Sequence, residues 1–166
     1  MTSRADKGYR GDASQFFIAG ELCRRGLVAV ITMGNCPNTD ILCSNSGGTR
    51  FVHIQVKTFV PGSRTCSVGL KAEKEFGDNF FWVLGGIPTP DQQKDFEFFI
   101  IPSKVMASNV KKAHQLWLNT PGKNDAVHND NKVRTVHLPP HKSSFSSWDI
   151  DEFRNRWDII EAKLQE

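Results

Sequence analysis

Residues 50–59 read RFVHIQVKTF, and their alternation decides the fold. Period-2 spacing puts Val52, Ile54 and Val56 on one face of a strand and Phe51, His53, Gln55, Lys57 and Phe59 on the other. Gln55 and Lys57 therefore point the same way, beside an apolar face that needs a covering layer. Just upstream, Asn45 to Gly48 (NSGG) is a turn signal, and Thr39 to Ser44 reads as a short strand before it. A hairpin through that turn brings Asp40 opposite the Gln55 to Lys57 region, because similar lengths of strand separate each from the turn. Further upstream, Val28 to Met33 reads as a strand leading into a loop at Gly34, Asn35, Pro37 and Asn38. Asp12 to Arg25 is predicted as a helix, capped by Asp12 and stopped at Gly26, with Phe16, Ala19, Leu22 and Cys23 on its core face.

Downstream, Phe80 to Ile87 and Phe96 to Ile101 are apolar runs that read as central strands. Ser103 to about Leu118 is predicted helical, with Ser103 as cap and Val105, Met106 and Val110 inward. A polar excursion over Asn119 to Asn131 follows, and Val133 to Leu138 reads as an edge strand. Asp149 and Glu152 form a capping-box pattern for a closing helix that carries Phe153, Trp157, Ile160 and Leu164. No repeat or linker divides the chain, so one domain over 1–166 is expected, of the α/β class with one mixed sheet flanked by helices.

Composition narrows the function classes. The chain has 166 residues with 39% hydrophobic side chains, including twelve Phe and four Trp, which suffices for one core and excludes long disorder. No apolar run is long enough to span a bilayer and no secretory signal is visible, so a cytoplasmic protein is expected. Cys23, Cys36, Cys43 and Cys66 show no C-x-x-C spacing and are expected as free thiols. The net charge of +3 is uneven, since residues 143–166 carry six acids against three bases and leave a body of +6. From Ile41 through Ala72 there is no acid, while Arg50, Lys57, Arg64 and Lys71 recur. Such a stretch suits a polyanion, or is simply a solvated surface. A metabolic α/β enzyme finds no support, for the chain lacks a phosphate-cradling glycine loop and a nucleophile elbow.

Asp40 opens a short apolar strand, where it either caps a turn with Asn38 or has a ligand. With Gln55 and Lys57 it forms a set suited to metal-assisted phosphodiester hydrolysis. Mg²⁺ takes oxygen ligands from a carboxylate, water and substrate phosphate, and an ammonium beside the attacking water stabilises developing charge. The run GDASQFFIAGELCRRG (Gly11 to Gly26), then Gly34, Asn35, Pro37, Asn38, Thr39, Asp40, Ile41 and Leu42, then Gln55, Val56, Lys57 and Thr58, resembles the core of the PD-(D/E)XK nuclease superfamily. The similarity is to the branch that writes its last motif Q-x-K, which includes a group I intron homing endonuclease; archaeal Holliday junction resolvases are more distant.

The resemblance implies a restriction-endonuclease-like αβββαβ core. It also implies a DNA endonuclease dependent on Mg²⁺, with Mn²⁺ as a substitute and no organic cofactor. Asp40 would be the metal-binding aspartate, Gln55 would stand in the D/E place, the Val56 carbonyl would be a further ligand and Lys57 the catalytic lysine. Arg50, Arg64 and Lys71 would contact DNA phosphate, and cutting both strands would suit a homodimer. The family commonly places Glu four residues after the helix-opening Gly; counted from Gly11, that position is Gln15. One unit charge about 4 Å from a metal is worth up to about 4 kcal/mol at an effective dielectric near 20, so weak Mg²⁺ binding without DNA is expected. The alternative is a nuclease-like module that has lost catalysis and binds DNA or protein. Glu21, about 240° round the helix from Gln15, is expected to be a surface or ion-paired residue.

Overall fold

The computed structural model describes residues 4–34, 36–146 and 148–165, with side chains from residue 8 onward; Asn35 of the loop motif lies outside them. Helix α1 spans Arg4–Arg24, followed by strands β1 (Val28–Ile31), β2 (Ile41–Ser44), β3 (Phe51–Phe59), β4 (Thr65–Ser67), β5 (Phe80–Gly86) and β6 (Glu97–Pro102). Helix α2 (Ser103–Asn119), strand β7 (Thr135–His137) and helix α3 (Asp158–Gln165) complete the order. The main sheet has five strands ordered β1-β2-β3-β5-β6, and β4 and β7 form a separate two-stranded ribbon.

β1, β2 and β3 pair antiparallel as the turn signal requires, with Ile41 opposite Ile54 and Cys43 opposite Val52. β3 and β5 are parallel, Gln55 lying beside Trp82. A parallel pair needs a crossover. Here β4 and a 3-10 turn at Leu70–Glu73 provide it, where an αβββαβ order would place a helix. The result is a mixed α/β architecture with helices on both sides of the sheet, as the sequence implies.

Each sheet face has its own core. Val52, Ile54 and Val56 pack with Ile18 and Leu22 of α1 and Trp157, Ile160 and Leu164 at the C-terminus. The opposite face sets Phe59, Trp82 and Leu84 against Met106 and Val110 of α2 and against Cys66 and Val136 of the ribbon. The alternation in β3 thus fixes which layer each side chain meets.

Several boundaries differ from expectation. α1 begins at Arg4, so Asp12 lies inside the helix and caps nothing. Its buried face is Ser14, Ile18, Ala19 and Leu22, whereas Phe16 and Cys23 are exposed. Gly26, with φ 82°, ends the helix as predicted, because that left-handed conformation costs glycine least. β1 stops at Ile31 and β2 starts at Ile41, each shorter than its apolar run. β6 is an edge strand, not a central one, and residues 133–138 pair with β4 outside the main sheet. Ser103 is the first residue of α2 rather than its cap, and its hydroxyl accepts the Phe76 N–H at 2.8 Å.

The continuous closing helix is also not formed. Asp149 caps only a 3-10 turn at Ile150–Phe153, accepting the Asp151 N–H. The chain then opens at Asn155 (φ 53°), whose N–H bonds Phe98 O at 2.8 Å, before α3 begins. The exposed edge of β6 supplies the reason: its unpaired backbone groups draw this segment alongside, with Arg154 bridging Phe99. All four cysteines are free thiols, two buried and two exposed.

Candidate active site

β2 ends one residue short of the position opposite Gln55, and the site is built in that gap. The Asp40 N–H still bonds Ile54 O at 2.9 Å, but no further residue of β2 continues the ladder. The next N–H of β3 facing that side belongs to Val56, and the Asp40 carboxylate takes it, Oδ2 lying 2.7 Å from Val56 N. A side chain thus replaces the missing backbone acceptor, which meets the requirement that a half-buried N–H be paired. Thr32 holds the approach from the other side: its N–H bonds Asp40 O at 2.9 Å and its hydroxyl donates to Thr39 O at 2.6 Å.

Gln55 Nε2 also donates to Asp40 Oδ2, in a short contact. Both of these bonds fall on one carboxylate oxygen, and the second donor leaves the Gln55 carbonyl oxygen for another partner. N–H and C=O of one strand residue project to the same side, so the Val56 carbonyl faces the same gap. Asp40, Gln55 and Val56 therefore bring together oxygen donors of the hard type that Mg²⁺ prefers. Among the described residues no group of three or more His, Cys, Asp or Glu is placed to hold a metal, and Asp40 is the one carboxylate among the described residues lining the site.

Burial pushes the Asp40 carboxyl above its ordinary range, and this outweighs the Val56 hydrogen bond, the positive charge of Lys57, the Gln55 hydrogen bond and the charge of Lys71, all of which favour the ionised form. A desolvated carboxylate held beside two ammonium groups is costly for stability and suited to a cation. Lys57 lies on the same face as Gln55 and makes no ion pair or side-chain hydrogen bond among the described residues.

Asp40, Gln55, Lys57 and Lys71 line one cavity of about 380 Å³. Trp82 and Lys132 join them there, and sequence reasoning missed both. Trp82 sits in an unbroken apolar run, and only its register beside Gln55 reveals its place. Its Nε1–H is buried without a partner among the described residues. Lys132 closes the polar excursion, which carries no periodic signal.

The remaining predicted residues lie elsewhere. Gln15 is half-buried on α1 and does not line this cavity. Arg50 is exposed beside the β2–β3 turn, its N–H bonded to Asn45 Oδ1 at 3.2 Å. Arg64 lines a second cavity, next to β7. Glu21 is ion-paired to Arg24 at 2.7 Å and Arg25 at 2.8 Å on the surface of α1.

No protein-family model matches the chain, and no curated protein sequence is similar to it. Its structure is similar to that of the bacterial homing endonuclease I-Ssp6803I, with a TM-score of 0.58 and 15% sequence identity over 95% of this chain and 93% of that one. Over that length the chain therefore has a nuclease-like α/β fold shared with a bacterial homing endonuclease.

Proposed function

We propose that this protein is a metal-dependent DNA endonuclease of the PD-(D/E)XK type, in its Q-x-K branch. The observation that carries the reading is the meeting of Asp40, Gln55 and Lys57 at one cavity, with Lys57 making no ion pair among the described residues. Asp40, the Gln55 amide oxygen and the Val56 carbonyl would hold Mg²⁺ or Mn²⁺, water and substrate phosphate completing its shell. The bound ion would supply Lewis-acid polarisation of the phosphoryl group. Lys57 places its ammonium where charge develops on the phosphate and the attacking water, which lowers the barrier to hydrolysis. Lys71 and Lys132, which line the same cavity, would hold the flanking phosphates, and Arg50 and Arg64, which lie outside it, would contact phosphate farther along the DNA. Cutting both strands of a duplex calls for two such sites, which a second copy of the chain would supply.

Incubating the protein with supercoiled plasmid and Mg²⁺ or Mn²⁺ tests the reading. Nicking that disappears with Lys57→Ala supports it. No cutting of duplex, branched or single-stranded DNA with either ion overturns it. The single carboxylate favours a second reading, a nuclease-like DNA-binding module without catalysis. That module would give salt-sensitive DNA binding and no cutting at any metal concentration.

A further inference from the structure

A second cavity, of about 480 Å³, lies between the C-terminal half of α2, strand β7 and residues 142–145. Its electrostatics are one-sided, because among the described residues no carboxylate lines it while Arg64 and Lys142 do. Two further basic side chains in the wall already have acidic partners. The buried Arg134 pairs with Glu73 and reaches Asp130 at 3.5 Å, and His114 Nε2 lies 2.8 Å from the same Asp130 carboxylate. Arg64 and Lys142 have no such partner among the described residues. The crowding also shows at His137, whose proton is disfavoured by burial and then by the charges of Arg64 and His141. Positive charge gathered in a recess without an acid calls for an anionic ligand.

The rest of the wall says which kind. Trp117 is fixed by stacking, its ring centroid 5.4 Å from His114 and 4.1 Å from His128, and Phe145 is a second aromatic side chain lining the cavity. Asn131 and Ser144 add amide and hydroxyl groups. Cations, aromatic side chains and neutral hydrogen-bonding groups together suit a nucleotide better than inorganic phosphate, and the volume falls in the ordinary range of ligand sites. The position fits as well. Lys132 lines the Asp40 cavity while its neighbours Asn131 and Val133 line this one, so the two recesses back onto one short segment.

We propose that this cavity is a second nucleic-acid subsite, taking a nucleotide of the bound strand with its phosphate between Arg64 and Lys142 and its base against Trp117 and Phe145. The inference rests on the DNA reading above for its ligand class, and binding without catalysis tests it separately.

The measurement is fluorescence anisotropy of a labelled single-stranded 12-mer and a matching duplex in EDTA, with the full chain and the Arg64→Gln/Lys142→Gln double variant. Both side chains are exposed, so thermal unfolding of the variant should match that of the parent. Affinity of the variant is expected to fall about tenfold, and the slope of log K against log salt to become shallower by about one, for the one phosphate that the pair would hold. Unchanged affinity and slope overturn the subsite even if the parent cuts plasmid in a Lys57-dependent way. Loss of affinity in the variant supports it even if no cutting occurs with any metal. Absence of binding by the parent overturns the subsite and the DNA reading together.

Discussion

Replacing Lys57 by Met keeps most of the side chain's bulk and removes its charge. Lys57 is partly buried among Gln55, Val68 and Trp82, a setting for which an effective dielectric near 20 is appropriate. A unit charge about 4 Å from charge developing on the phosphate is then worth about 4 kcal/mol, or roughly a thousandfold in rate. Single-turnover nicking of supercoiled plasmid at saturating Mg²⁺ isolates the chemical step. A second effect follows, because the Lys57 charge favours ionised Asp40. Without it the carboxylate ionises at higher pH, so the acid limb of the rate profile should move upward in Lys57→Met. The fold should survive with a modest loss of stability at pH 7, where buried ionised Asp40 loses part of its offset, and with none at a pH where Asp40 is protonated in both states. A variant that folds normally and nicks within threefold of the parent, with the same acid limb, would refute the assigned role.

Three further changes test the framework. Asp40→Asn should abolish cutting yet raise the melting temperature at pH 7: the folded carboxyl titrates above its ordinary range, so its ionised form costs stability once the pH exceeds the unfolded value. The gain should shrink as pH falls and vanish where Asp40 is protonated in both states; equal gains at pH 3 and pH 7 would contradict the linkage. Arg134→Ala should cost about 3 kcal/mol by urea denaturation, since it strands Glu73 and removes bonds to the carbonyls of Asn131 at 2.6 Å and Val133 at 2.9 Å; a loss under about 1 kcal/mol would show that the buried guanidinium is not a staple. Ser14→Ala should stabilise by about 1 kcal/mol, because the Ser14 hydroxyl is buried without a partner among the described residues. Gly85→Ala alone should destabilise, as a Cβ there would collide with that hydroxyl, and Ser14→Ala should restore much of the loss; an additive double variant would contradict the contact.

The hairpin was legible because β3 alternates cleanly and the turn sits at a fixed distance from both arms, which is enough to pair Asp40 with Gln55. Helix limits were less so. The first eight residues of α1 carry no apolar stripe, and the break at Asn155 depends on the free edge of β6, to which the Asp149 cap is blind. Lys132 and Trp82 could not be found from local pattern, since each reaches the cavity through pairings distant in sequence. Lys71 and Arg64 looked equivalent in the acid-free stretch, yet the crossover carries one to the Asp40 cavity and the other to the second cavity.

The way β2 ends also accounts for the position of the site. A strand that continued past Ile41 would satisfy Val56 N–H with backbone and leave no gap for a side chain. Stopping early exposes one donor of β3, and a carboxylate is the side chain that can accept from it while keeping a second oxygen for a cation. Burial at the sheet end disfavours that charge, and Lys57 and Lys71 offset part of the penalty from the open side. The same lysines then face any phosphate that enters. Asp40 is in this sense both a strand-end cap and the one carboxylate of the cavity, which is why its replacement by Asn should separate the two roles: Asn Oδ1 in the place of Oδ2 still accepts from Val56 and Gln55, so the fold survives while the second oxygen, the one left for a cation, becomes an amide nitrogen that cannot hold a metal.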